Sequence, residues 1–140
     1  MLVVRVHNIV PQAVWSKRYQ QINDFERKLT ENRVHVVKFL LYISKEEQAK
    51  RFRARVEDPS KSWKFSDADV KERAYWDQYM EAYNDALQKC ATPQAPWYVI
   101  PSNKKWFRNL AVSEILIHTL EGMKLKFPKA SVDLSGLQFE

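Results

Sequence analysis

"VHVVKFLLYI" (Val34–Ile43) is the stretch on which the fold turns. It is nearly all apolar, β-branched at its start, and too short for a membrane helix, which needs roughly 18 residues. Such a run reads as a strand buried on both faces, the mark of a parallel sheet. It asks for cover on both faces and a neighbour on each edge. Ser44 follows it, with Glu47 three residues on. That pair spells a capping box, in which each side chain satisfies a free amide at the other's position. The helix it opens runs to about Val56 with Ala49, Phe52 and Val56 inward, and Asp58-Pro59 ends it, because a residue before proline avoids helical geometry.

Working outward, the opening LVVRV (Leu2–Val6) reads as a short valine-rich strand. Pro11 suits the first turn of a helix. Val14, Trp15, Tyr19, Ile22, Phe25 and Leu29 recur at steps of three and four, predicting one amphipathic helix from Pro11 to about Asn32. Downstream, a PSKSWKF loop leads to a weaker cap, Ser66 with Asp69, and a long helix to about Lys89. That helix carries a stripe of Trp76, Tyr79, Met80, Tyr83 and Leu87. TPQAP breaks the chain before a third strand, Trp97–Ile100. A last helix runs from Lys104 to Glu121, with Gly122 expected just past its end. From Met123 onward no period is visible, and a partly mobile tail is expected. Strands alternating with helices imply an α/β fold with parallel strands and right-handed crossovers. A chain that opens directly on a strand looks like the second half of something larger.

The 140 residues suit one domain, and 45% hydrophobic with 13% aromatic content argues for a packed core. Cys90 is the only cysteine, so no internal disulfide forms, and no signal peptide is visible. A cytoplasmic location is expected. The net charge of +6 favours anionic partners, though the same excess also serves solubility. The two glycines are Gly122 and Gly136. A loop that cradles phosphates needs glycines where backbone must come close, so these residues hold no such loop.

RFRARVEDPSKSWKFSDAD (Arg51–Asp69) concentrates positive charge. Arg51 and Arg55 share a helix face, while Arg53 sits about 200° from Arg51. Cations at a helix C-terminus also complement the macrodipole, so a solvated helix end is one reading and an anion clamp the other. Lys61, Trp63 and Lys64 lie in the loop, where neither argument requires them. Arginine grips phosphate bidentately and lysine as a point charge. Asn103, Lys104 and Lys105 would lie outside the carboxyl ends of the strands, where open α/β sheets bind ligands. Arg5, at the end of the first expected strand, would share that rim. His7, His35 and His118 lack partners at metal spacing and read as structural. Asp24 with Glu26 are near neighbours without a catalytic pattern, and Asp67 with Asp69 suit a helix first turn. The Trp76–Tyr79–Tyr83 stripe reads as core. No recognition-helix or RNA-binding aromatic pattern points to nucleic acid.

Four stretches, LVVRVHNIVP, QINDFERKLTEN, KFLLYISKEEQAKRFRARVEDPSKSWKFSDADVKER and TPQAPWYVIPSNKKWFRNLAV, closely resemble the C-terminal part of family 2 polyphosphate kinases. The resemblance covers the chain to about Phe127. It implies a domain portion at 1–127 with a helical lid at about 44–89, and a tail at 128–140. It implies a three-layer parallel sheet, the C-terminal part of a P-loop kinase fold like that of thymidylate kinase, lacking the P-loop half. The implied activity is Mg²⁺-dependent phosphoryl transfer between inorganic polyphosphate and AMP, ADP or GDP. Arg51, Arg55, Lys61 and Lys64 would be lid cations, Arg5 a basic residue of the substrate channel, and Asn103 and Lys104 would flank the nucleotide base. The family's glycine-rich phosphate loop with its lysine, and its second motif, lie upstream of the matching stretches. The ligands for Mg²⁺ are therefore expected to be absent, and the chain alone inactive or nearly so. A truncated piece, the product of an interrupted gene, or one half of a pair would each fit, as would a homo-oligomer. The alternative is a non-catalytic polyanion-binding or regulatory module that pairs with a full-length homologue.

Overall fold

In the computed structural model, which describes residues 1–129 and 131, the Val34–Ile43 run forms a strand only over Lys38–Tyr42 (β1). It pairs in parallel with Trp97–Pro101 (β2), in a register from Lys38 opposite Trp97 to Tyr42 opposite Pro101. Among the described residues the sheet therefore has two strands, not the three expected. Leu41 and Tyr42 are 47% and 46% exposed, so the expected cover on both faces is not met among the described residues.

The expected first strand is a helix, α1 (Leu2–Val6). Its valines favour strands only as far as packing allows, and here packing decides otherwise. Val4 and Met1 lie against a cluster of Trp15, Tyr19 and Cys90, and α1 rests on α6 (Trp76–Cys90). The helix stops in a Schellman turn. Asn8 adopts φ 50°, its N–H donates to the Arg5 carbonyl, and the Ile9 N–H donates to the Val4 carbonyl.

The predicted 11–32 helix is two pieces, α2 (Gln12–Trp15) and α3 (Arg18–Glu31). Trp15 and Tyr19 are buried as the pattern requires, but Phe25 is 63% exposed. Glu26, beside it, is buried instead and reaches Lys38 at 2.5 Å. α3 ends like α1, with Arg33 at φ 64° and amide bonds from Arg33 to Thr30 and from Val34 to Leu29.

Helix α4 (Lys45–Glu57) starts where expected, with Ser44 Oγ accepting from the Glu47 N–H at 3.1 Å. The long helix after Ser66 is interrupted. α5 (Asp67–Glu72) and α6 are separated by a 3-10 turn at Arg73–Tyr75. The last helix, α7 (Lys105–Gly122), includes Gly122, and Lys124 takes the left-handed position at φ 50°. No residue of α7 is buried. Among the described residues no helix is long and apolar enough to cross a membrane. The expected tail at 128–140 falls outside the described residues at 130 and 132–140.

Candidate functional site

The carboxyl ends of β1 and β2 are joined by Ser102. Its N–H donates to the Tyr42 carbonyl at 2.7 Å, and its hydroxyl donates to the Ile100 carbonyl at 2.8 Å. Ser102 is 1% exposed, which anchors the loop that follows to the sheet. Next in the chain, the Asn103 side-chain oxygen accepts from the Ser44 N–H at 3.0 Å. This changes the expected capping box. Ser44 caps the helix, but its own amide is satisfied by Asn103 across the rim, and the Glu47 carboxylate turns to Arg51.

Arg51 closes the cluster. Its Nε lies 2.9 Å from Glu47, and its Nη2 donates to the carbonyls of Ser102 at 2.6 Å and Asn103 at 3.2 Å. Lys104 is the extended residue before α7, and the first turn of α7 holds no acid. Its cations oppose the helix dipole, so the positive potential there is unrelieved and favours a bound anion. A cleft of about 570 Å³ opens at this point, lined by Tyr42, Ser44, Asn103, Lys104, Trp106 and Phe107. Trp106 is 65% exposed and meets Phe107 edge-on at 5.8 Å.

The loop after α4 folds on itself. Asp58 accepts from the Ser60 N–H at 3.0 Å and hydroxyl at 2.6 Å, and pairs with Lys61. Those bonds, Lys61 first, lower the Asp58 carboxyl to about 2. The Trp63 indole N–H donates to the Ser60 carbonyl at 3.1 Å, and the Lys64 ammonium lies 4.9 Å from the ring centre. Phe52 and Phe65 meet edge-on at 6.4 Å and tie the loop to α4. Lys61 thus has a local structural partner that spacing alone did not suggest. Arg55 has no ion pair among the described residues and lies 5.9 Å from the Phe52 ring centre.

Arg5 is not on the rim. It sits on α1, 2.7 Å from Asp85 and 3.2 Å from Glu81, both on α6, and 3.2 Å from the Tyr19 hydroxyl. Burial opposes its charge, but the bonds to Asp85 and Tyr19 outweigh that and raise its pKa. It lines a separate cleft with Gln12, Trp15 and Lys89. The rim expectation fell with the strand, since a helix carries this side chain onto α6. The structure therefore brings Arg51, Asn103 and Lys104 together and leaves Arg5 apart.

Two further groups were not singled out. Arg73 donates to the Lys45 carbonyl at 2.9 Å and to Gln48 at 2.7 Å, joining the turn between α5 and α6 to the start of α4. Glu72 accepts from Tyr79 at 2.7 Å and meets His7 at 3.0 Å. Tyr79 is pushed up to about 12 by burial and by that carboxylate. Lys45 and His7 lie too far from Arg73 and Glu72 in sequence to leave a periodic signal.

A family model described as Polyphosphate kinase 2 (PPK2) matches residues 1–128. An AMP/ADP-polyphosphate phosphotransferase of Meiothermus ruber is 50% identical over 129 residues, covering 92% of this chain and 48% of that protein. A protein of Leptolyngbya boryana, described as an uncharacterized protein in the chlN 3′ region, is 52% identical over 118 residues, covering 84% of this chain and 87% of that one. The crystal structure of polyphosphate kinase 2 from Arthrobacter aurescens TC1 superposes with a TM-score of 0.92 at 50% identity, covering 95% of this chain and 47% of that one. The chain spans about half the length of the Meiothermus and Arthrobacter proteins.

Proposed function

The chain belongs to the polyphosphate kinase 2 family, and from that premise we propose that it supplies the lid and strand-rim cations for phosphoryl transfer between inorganic polyphosphate and a nucleoside mono- or diphosphate. The observation that carries this reading is the joining of two cationic regions at one end of a parallel sheet. Asn103 and Lys104 stand at the carboxyl end of β2, and α4, which leads into the lid, is bonded to the same loop. Both regions would face a polyanion. Lys61, Lys64 and Arg55 would neutralise a phosphate chain from the lid, and Lys104 with the start of α7 would hold phosphate at the rim. The exposed Trp106 edge and Asn103 would flank the base. We assign Arg5, already matched by two carboxylates, to the scaffold.

Phosphoryl transfer depends mostly on positioning and on charge stabilisation. The residues here would supply both for the phosphate chain. Among the described residues no group of three or more His, Cys, Asp or Glu could hold a metal ion, and this reading assigns none of them to Mg²⁺. In this reading the fold is the C-terminal portion of a P-loop kinase. Its glycine-rich phosphate loop, for which residues 1–121 contain no glycine, comes from another segment, in the same polypeptide or in a partner. The metal ligands come with it.

The test is polyphosphate binding across a salt series, with single-stranded RNA as competitor. Binding should weaken as salt rises and should fall several-fold in Lys61→Ala with Arg55→Ala. Affinity indifferent to salt and to both substitutions would refute the site. Phosphoryl transfer to AMP and ADP with Mg²⁺ separates the roles. Robust turnover by these residues alone would refute the claim that the phosphate loop lies elsewhere. Binding that no added segment converts to turnover would favour a non-catalytic polyanion module.

A further inference from the structure

We propose that Arg51 is a positioning residue, a strut that makes the lid limb α4 and the rim loop 102–104 respond to bound polyanion as one body. The proposal rests on the reading that lid and rim bind phosphates, and it changes the role of one residue within it. Sequence resemblance places Arg51 among the cations that touch the ligand. Its geometry points inward instead.

The Nε and Nη2 groups of Arg51 are committed to Glu47, Ser102 and Asn103. Its charge is matched by Glu47, whose side chain is 20% exposed against 26% for Arg51. A half-buried guanidinium already facing a carboxylate and two carbonyls adds little to the field seen by a ligand. To grip phosphate with the same fork it would have to leave the two carbonyls without a donor, at a cost comparable to the bonds gained.

The same bonds explain what Arg51 does. Ser102 is fixed to both strands, so the rim loop belongs to the sheet. α4 is fixed to that loop twice, by Ser44 with Asn103 at its start and by Arg51 about two turns later. Two attachments along one helix define its direction, where a single one would leave a pivot. α4 then leads directly to the lid cations, so a displacement of Lys104 by ligand must be felt at Lys61. The fork matters here as well as the charge. A lysine has one nitrogen and cannot hold Glu47 and two carbonyls in the same plane.

Two measurements decide the matter. The first needs no ligand. Amide hydrogen exchange at Ser44 and Ser102, whose N–H groups are bonded to Asn103 and Tyr42, should rise about tenfold in Arg51→Lys, while amides in α3 and α6 keep their rates. Unchanged exchange at these two rim amides would overturn the strut. The second uses inorganic polyphosphate. Each cation that contacts a polyanion contributes roughly one unit to the slope of log affinity against log salt. Lys61→Ala and Lys104→Ala should each lower that slope by about one, and Arg51→Met should leave it unchanged. The losses from Lys61→Ala and Lys104→Ala should be non-additive in the wild-type background, by about threefold or more, and independent in Arg51→Lys. A slope lowered by about one in Arg51→Met would make Arg51 a ligand cation after all. If wild-type chain binds no polyphosphate, the functional reading fails, and the exchange rates still decide whether Arg51 joins the two elements. Should Arg51→Met not fold, Arg51→Lys carries both the exchange and the coupling measurements.

Discussion

The Lys38 ammonium lies 2.5 Å from Glu26, with the two side chains 13% and 10% exposed. The same nitrogen donates to the Cys90 carbonyl at 2.7 Å and lies 5.3 Å from the Trp97 ring centre. One ion pair thus fastens α3, the start of β1 and the end of α6 at a single point. Removing one member of a buried pair leaves the other uncompensated, which costs about 3–5 kcal/mol. Glu26→Ala should therefore lower the unfolding free energy by about 3 kcal/mol in urea titration. The double variant Glu26→Leu with Lys38→Met should recover part of that loss, because it leaves no stranded charge. A loss below about 1 kcal/mol for Glu26→Ala would show that water reaches the pair.

Asp58 and Lys61 set a second expectation, this one in pH. The Asp58 carboxyl is lowered in the folded chain from 3.8 to about 2. Its contribution to the loop is therefore complete above the unfolded value and is lost as pH falls through the folded one. The Trp63 indole resonance, which reports the bond to Ser60, should hold its position down to about pH 4 and shift between there and about pH 2. A shift centred at neutral pH would exclude Asp58 as the cause.

The same carboxylate competes with any polyanion for Lys61. An exposed ion pair contributes only weakly and is screened by solvent. Asp58→Asn should accordingly tighten polyphosphate binding by about two- to fivefold, read by titration at fixed salt. Weaker binding in this variant would mean that the turn geometry matters more than the freed charge.

Arg33 holds φ 64° at the end of α3. A left-handed conformation costs a side-chain-bearing residue about 1–2 kcal/mol, and glycine escapes it at an entropic cost of about 0.5–1 kcal/mol. Arg33→Gly should leave the chain more stable by about 0.5–1 kcal/mol, measured as a raised thermal midpoint. A lowered midpoint would point to an interaction of the Arg33 side chain itself.

Helix α7 presents Trp106, Leu110, Leu116, Ile117 and Leu120 at 42–65% exposure. Exposed apolar area on this scale, with an open strand edge nearby, favours self-association. Sedimentation should show concentration-dependent association of the chain, and Leu110→Glu with Leu120→Glu should reduce it. A strictly monomeric wild-type chain at high concentration would contradict this.

Local signals in the sequence carried far. Ser44 announced α4 to the residue, because a cap is chemistry within one turn. Trp97–Ile100 and Lys104–Glu121 were legible from β-branching and from a proline break. α1 was not, because five residues rich in valine suit a strand until a distant cluster around Trp15 and Tyr19 claims Val4. Phe25 is exposed where the period placed it inward, and Glu26 is buried, for a similar reason. The helical period says that one face is buried, but the partner on Lys38 decides which side chain reaches it. Within the site, the elements bearing Asn103 and Lys104 were placed correctly, since the end of a parallel strand is a location that sequence order provides. The inward turn of Arg51 was not visible, because the Ser102 and Asn103 carbonyls it binds lie about fifty residues away on a loop.

The parallel pairing of β1 with β2 has a consequence for the order of events in folding. The two strands are neighbours in space, yet the whole of α4, α5 and α6 lies between them in the chain. Closing a long loop costs entropy before any ladder bond repays it, and such pairings form slowly. The intervening helices shorten the gap once they are compact, with Arg73 reaching back to Lys45 as one clasp. During synthesis β1 would emerge first and wait with its edge open until α4 to α6 and then β2 follow. Substitutions in those helices should then alter the folding rate without touching the sheet.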